Sequence, residues 1–98
     1  TRKEKYFGKS IDVTFIDSPD KNYSMLEINC PDQSGVLACV GEVLATNEIN
    51  IKDARITTLG ERVEDLFFVT DNKGLPINQK NQSEELCAEI KYQLKNRL

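Results

Sequence analysis

The sequence contains no histidine and no tryptophan, and its three cysteines, Cys30, Cys39 and Cys87, stand far apart with no C-x-x-C pair. That spacing argues against both a disulfide framework and the common zinc ligand sets. Three unpaired thiols fit a reducing cytosol, and the expected localisation is cytoplasmic. Without histidine the commonest general base is missing. No serine or cysteine stands out as an activated nucleophile and no Gly-rich phosphate loop occurs, so the residues offer no catalytic constellation. No apolar run approaches the ~20 residues of a membrane span, and no stretch reads as a signal peptide. Positive charge is also scarce: 13 Lys and Arg stand against 16 Asp and Glu, for a net charge of −3. Such a balance argues against a general nucleic-acid surface. Phe67 and Phe68 lack the Arg/Lys-Gly-aromatic pattern of an RNA-binding sheet.

What is present is a soluble, single-domain composition. The chain has 98 residues, of which 39% are hydrophobic, enough for one modest core. Residues 1–9 carry Arg2, Lys3, Lys5 and Lys9 against Glu4 and read as a solvated tail or linker. Thr1 in place of an initiator Met gives the expectation of a piece cut from a longer protein. Residues 10–98 are expected to form the domain.

Ile11, Val13 and Phe15 alternate with polar residues as in a half-buried strand. Asp17 to Asn22 is turn chemistry. A second strand follows over about 23–30, with Leu26, Ile28 and Cys30 on one face, and the short link makes the two an antiparallel hairpin. Pro31, Asp32, Ser34 and Gly35 suit a helix start. Val36, Leu37, Val40, Val43 and Leu44 then share one helical face over about 34–46. Ala54, Ile56 and Thr58 lie on one face of a third strand, 51–59, and a fourth runs over 62–70 with Leu66, Phe67, Phe68 and Val69. A second helix is predicted from Gln82 or Ser83, with Asn81 and Glu84 at capping-box spacing and Leu86, Cys87, Ile90, Leu94 and Leu98 as its buried stripe.

The order ββαββα predicts an α+β sandwich, a four-stranded antiparallel sheet with two helices on one face. It is a circularly permuted ferredoxin-like order: the strand at Ile11 takes the edge that a strand after the second helix would otherwise fill. The expected core is Val13, Phe15, Leu26, Ile28, Val36, Leu37, Val40, Leu44, Ala54, Ile56, Phe67, Val69, Leu86, Ile90 and Leu94.

The functional interest lies between Cys30 and Ile51. The free backbone N–H groups at the helix start, with the positive end of its dipole, can hold a carboxylate. Asp32 beside them either caps the helix or holds an ammonium. Together these would receive the two charged ends of a free amino acid. Gly35 and Asn50 each have a plain structural reading as well, in helix–strand packing and in closing the helix–strand connection. Asp65 beside Glu64 suggests a carboxylate pair, but neighbours in a strand point to opposite faces, and a surface role is expected for it. Asp53 and Arg55 are expected at the surface or an interface. The cysteines are expected to be packing residues.

Leu-Glu-Ile-Asn-Cys-Pro-Asp-Gln-Ser-Gly-Val-Leu-Ala (26–38) together with Asn-Ile-Lys-Asp-Ala-Arg-Ile-Thr-Thr-Leu-Gly-Glu-Arg-Val-Glu-Asp-Leu-Phe-Phe-Val-Thr-Asp (50–71) resembles an ACT domain. The second block is similar to the C-terminal ACT domain of the bacterial protein-PII uridylyltransferase/uridylyl-removing family of nitrogen control. The resemblance implies a regulatory module that binds a free amino acid between two such domains, in cis or in a homodimer. It implies one wall from Asp32, Gln33, Ser34, Gly35, Val36 and Leu37, and another from Asn50 and Ile51. Glutamine is the implied ligand. Catalytic domains, with Mg2+, would belong to the parent enzyme; no cofactor is implied for this chain, nor any nucleic acid or membrane. Ser34 stands where such turns often have Pro, which leaves the backbone donors in place. The second reading is an ACT-like dimerisation domain with no small ligand.

Overall fold

The computed structural model describes residues 10–16, 22–32 and 34–97. Among them the chain forms β1 (Asp12–Ile16), β2 (Ser24–Pro31), α1 (Val36–Thr46), β3 (Asn50–Leu59), β4 (Arg62–Thr70) and α2 (Lys80–Arg97). The proposed tail 1–9, most of the first turn, Gln33 and Leu98 lie outside the described residues. The strands form one antiparallel sheet in the order β1-β2-β4-β3. This is the permuted ferredoxin-like α+β arrangement, with β1 at the edge beside β2.

Alternation fixes which face of each strand is buried. Leu26, Ile28 and Cys30 of β2 and Val63, Phe67 and Val69 of β4 point inward. They meet Val36, Cys39, Val40, Val43 and Leu44 from α1 and Leu86, Ile90 and Leu94 from α2 in one core, with Val13 and Phe15 packed at its margin. Ile11, Ile49 and Ile77 complete it from the connections. Buried Ser24 ties down the connection to α2: its Oγ accepts from the Ile77 N–H at 2.8 Å. β3 and β4 are joined by the two-residue loop Gly60-Glu61, with Gly60 at φ +62°, the conformation a tight hairpin asks of its first loop position.

Three expectations about the core are corrected. Ala54 and Ile56 are exposed, Ile56 by 47%. They do face the helix side of the sheet, but α2 packs on β1 and α1, while α1 barely reaches β3. Every residue of β3 is exposed as a result. Leu37 is 50% exposed because it sits one residue past the buried Val36, on the flank of α1. The second helix begins at Lys80, so Asn81 and Glu84 lie within it and form no capping box. Ser83 Oγ donates to the Lys80 carbonyl at 2.9 Å, inside the first turn.

These differences give contrasting substitutions. Leu44→Ala, at a fully buried site, should lower unfolding free energy by about 2–5 kcal/mol. Ile56→Ala, which the hydrophobic pattern alone ranks as equal, should cost about 0.5 kcal/mol or less in the monomer. Urea unfolding of the two variants at low protein concentration measures both.

Candidate functional site

The turn after β2 leads into α1 through Gly35, whose φ of +90° and ψ of −4° are left-handed. A Cβ built there would meet nothing within 4 Å, so the glycine answers to backbone conformation and not to crowding. Among the described residues no side chain caps the helix. The first bond within it runs from the Cys39 N–H to the Gly35 carbonyl at 2.9 Å. The N–H groups of Val36, Leu37 and Ala38 precede that bond, in the part of a helix with no intrahelical acceptor. Asp32 is therefore not the N-cap. Its backbone N–H donates to the Glu61 carbonyl at 2.8 Å, which ties the turn to the β3–β4 hairpin and leaves the side chain exposed.

The helix mouth opens onto a cleft of about 340 Å3. Val36, Leu37 and Ala38 form one side and Ile56 and Thr58 of β3 the other. Val63 and Asp65 of β4 form the floor, and Asp32, Ser34 and Gly35 the rim. A larger open hollow of about 850 Å3 lies at the other end of β2, between β1 and the start of α2. The first turn of α2 lines it too, but among the described residues the one buried side-chain oxygen without a hydrogen-bond partner, Asp65 Oδ1, belongs to the smaller cleft, which is therefore the better candidate.

Asp65 was expected at the surface and is 1% exposed. The alternation argument about its neighbour holds, since Glu64 points outward and its Oε1 accepts from Asn29 Nδ2 at 3.3 Å. It is Asp65 that turns inward, at the register position between Ile28 and Ile56. Its Oδ1 has no hydrogen-bond partner. Burial, and then the negative charge of Asp32, push its carboxyl above the usual carboxylate range. On the neighbouring strand, opposite Val63, Cys30 is pushed up to about 11, by burial first and then by the charge of Asp65. That thiol stays protonated and unreactive at neutral pH.

The structure thus gathers Asp32, Ser34, Gly35, Val36 and Leu37 at one cleft; Gln33 lies outside the described residues. Asn50 and Ile51 are not brought there. They begin β3, whereas the cleft meets its far half, so Asn50 is eight residues from Thr58, roughly 26 Å along the strand. The Asn50 Nδ2 instead donates to the Asp71 carbonyl at 3.3 Å. The cleft is also lined by Asp65, Val63, Ile56, Thr58 and Ala38, which the sequence pattern does not single out as site residues. For Asp65 a signal existed: Val63, Phe67 and Val69 share its face by period two. Arg55, on the opposite face, has its guanidinium 5.5 Å from the centre of the Phe68 ring. Among the described residues no three His, Cys, Asp or Glu side chains gather as a metal site, and no helix is long and apolar enough to cross a membrane.

Comparison with known proteins identifies the family. Residues 24–78 match the family model described as ACT domain. The chain is 36% identical over 97 residues to the bifunctional uridylyltransferase/uridylyl-removing enzyme of Ectopseudomonas mendocina, covering 99% of this chain and 10% of that protein. The enzymes of the same name from Pseudomonas putida and Azotobacter vinelandii are also 36% identical, over 95% and 99% of this chain and 10% of each enzyme. The chain thus spans about a tenth of the length of the relatives it matches. No solved structure matches it.

The buried carboxyl sets a pH dependence. Because Asp65 holds its proton more tightly when folded, the native chain binds more protons than the unfolded one above the ordinary carboxylate pKa. Its contribution to stability therefore falls as pH rises through that window and is level beyond it. Asp65→Asn should remove this fall and raise the neutral-pH melting temperature. Thermal melts of both chains between pH 4 and 7.5 test the sign; an equal or lower melting temperature for the variant at pH 7 contradicts it.

Proposed function

The chain belongs to the ACT domain family, and from that premise we propose that it is the amino-acid-sensing regulatory module of a bifunctional uridylyltransferase/uridylyl-removing enzyme, with glutamine as its ligand. The observation that carries this reading is the uncapped mouth of α1, open to a cleft that also holds a carboxylate. A ligand carboxylate accepts from the N–H groups of Val36, Leu37 and Ala38, where the helix dipole favours negative charge. The ligand side chain then extends toward Ile56 and Thr58. Two or three charge-assisted bonds at ~1.5–3 kcal/mol each, less ordering costs, give a dissociation constant on the order of 0.1–1 mM. That range suits a sensor of an abundant metabolite. Coupling of ~1–3 kcal/mol to the catalytic part suffices for regulation. Catalysis, the protein PII substrate and Mg2+ belong in this reading to the rest of the enzyme.

A second domain fits the unused edge of β3. The strand is ten residues long and exposes Ile51, Ile56 and Leu59 by 45, 47 and 55%. If two β3 strands pair antiparallel about a two-fold axis through their middle, the residues facing each other number to a constant sum. Asn50 and Ile51 of one domain then lie beside Leu59 and Thr58 of the other. That arrangement supplies the second wall which a single chain does not bring to its own cleft. Pairing of this kind also supports the alternative, an ACT-like dimerisation domain without a ligand.

Isothermal titration of the chain with L-glutamine should give saturable heat in the stated range, and sedimentation equilibrium should show a dimer fraction that rises with ligand by mass action. No heat at 10 mM glutamine, with a stable dimer indifferent to it, would leave only the dimerisation reading.

A further inference from the structure

We propose that Asp65, and not the exposed Asp32, is the counter-ion for the ligand's amino group, so that the cleft selects for a free primary ammonium next to a carboxylate. The inference rests on the amino-acid-binding reading above and assigns the half of the ligand that the helix mouth leaves unexplained. Buried polar atoms in folded proteins are overwhelmingly hydrogen-bonded. Asp65 Oδ1 is buried and has no partner, yet the residue lies on the floor of an open cleft. The other inward positions of its strand are the apolar Val63, Phe67 and Val69. An apolar residue there would pack without an orphaned oxygen, so the carboxyl is retained at a cost that a cationic ligand group would offset.

Position decides between the two acids. Asp32 stands on the rim and is exposed, where water screens its attraction for an ammonium. Asp65 is shielded, and a charge pair formed there is far less screened. The two ends of the site then divide the ligand between them. Backbone N–H groups of Val36 to Ala38 face its carboxylate and the carboxyl of β4 its ammonium. Both groups sit on one α-carbon, so the side chain is directed away from the floor toward β3. A compound with the carboxylate and amide of glutamine but no amine leaves Asp65 as unsatisfied as in the empty cleft.

The test is isothermal titration of the 98-residue chain with L-glutamine and with glutaramate, which lacks only the amine. The wild-type chain should bind glutamine at least tenfold more tightly than glutaramate. Asp65→Asn, with its fold checked by circular dichroism, should lose at least tenfold for glutamine and most of that preference. Asp32→Asn should lose less than Asp65→Asn. Glu64→Gln, on the opposite face of the same strand, should bind as the wild type does. Equal binding of both compounds by the wild type overturns the assignment without any variant being needed. So does undiminished glutamine binding by Asp65→Asn, or a larger loss in Asp32→Asn; in each of these cases the cleft remains an amino-acid site. Failure of the wild type to bind either compound at 10 mM removes the amino-acid reading itself, and this assignment with it. A wild-type dimer that ignores both compounds and is broken by Asp65→Asn would assign the carboxyl to a partner's cation instead.

Discussion

A helix about 10 Å across covers roughly two strands spaced about 4.8 Å apart, and where the pair of helices settles decides what the sheet leaves open. Here α2 packs on β1 and against α1, so the pair is drawn toward the β1 edge and β3 is left uncovered. The cleft is the space between the outer flank of α1 and the bare inner face of β3, floored by β4. The exposure of Leu37, Ala54 and Ile56 has the same origin. A β1 supplied by the N-terminal hairpin is thus part of the site's architecture, although none of its residues lines the site.

In the proposed reading, stability and ligand chemistry pull in opposite directions at the cleft floor. Val63, Phe67 and Val69 show what the core wants from the inward face of β4, and Asp65 is the exception among them. An orphaned buried carboxyl costs on the order of 1–3 kcal/mol or more, a large fraction of the stability of a small domain. Sites that depart from the rules of good packing are where function concentrates. Gly35 follows the same logic at the rim: its left-handed backbone brings the chain into α1, and among the described residues no side chain hydrogen-bonds the first N–H groups.

Periodicity made most of the fold legible. Leu26, Ile28 and Cys30 alternate inward as the pattern requires, and Val36, Val40, Val43 and Leu44 form the buried stripe of α1. The pattern reports which face a residue occupies, however, and not whether anything covers that face. Ala54 and Ile56 are on the inward face and still exposed, because coverage depends on where a helix some thirty residues later comes to rest. Asp65 fails in the opposite sense: polarity suggested the surface, and the alternation with Val63 and Phe67 was the stronger signal. Asp32, Ser34, Gly35, Val36 and Leu37 stood out in the turn and helix-start pattern, and they line the cleft. The floor of the cleft did not stand out, because β4 reaches it only through tertiary pairing. Asn50 and Ile51, at the start of β3, lie away from the cleft that a single chain forms.

The one-sided bonding of β3 has a dynamic consequence. A strand hydrogen-bonded to a single neighbour, with no helix over it and a register irregularity between Ile51 and Asp53, opens at a lower free energy than β2 or β4. Its backbone amides are expected to exchange with solvent deuterium faster than those of the central strands. Anything seated between α1 and β3 must quiet that fraying, so part of its binding energy goes into conformational entropy lost by the strand. Slowed exchange along β3 is then a reporter of occupancy that involves no change in the average position of any atom.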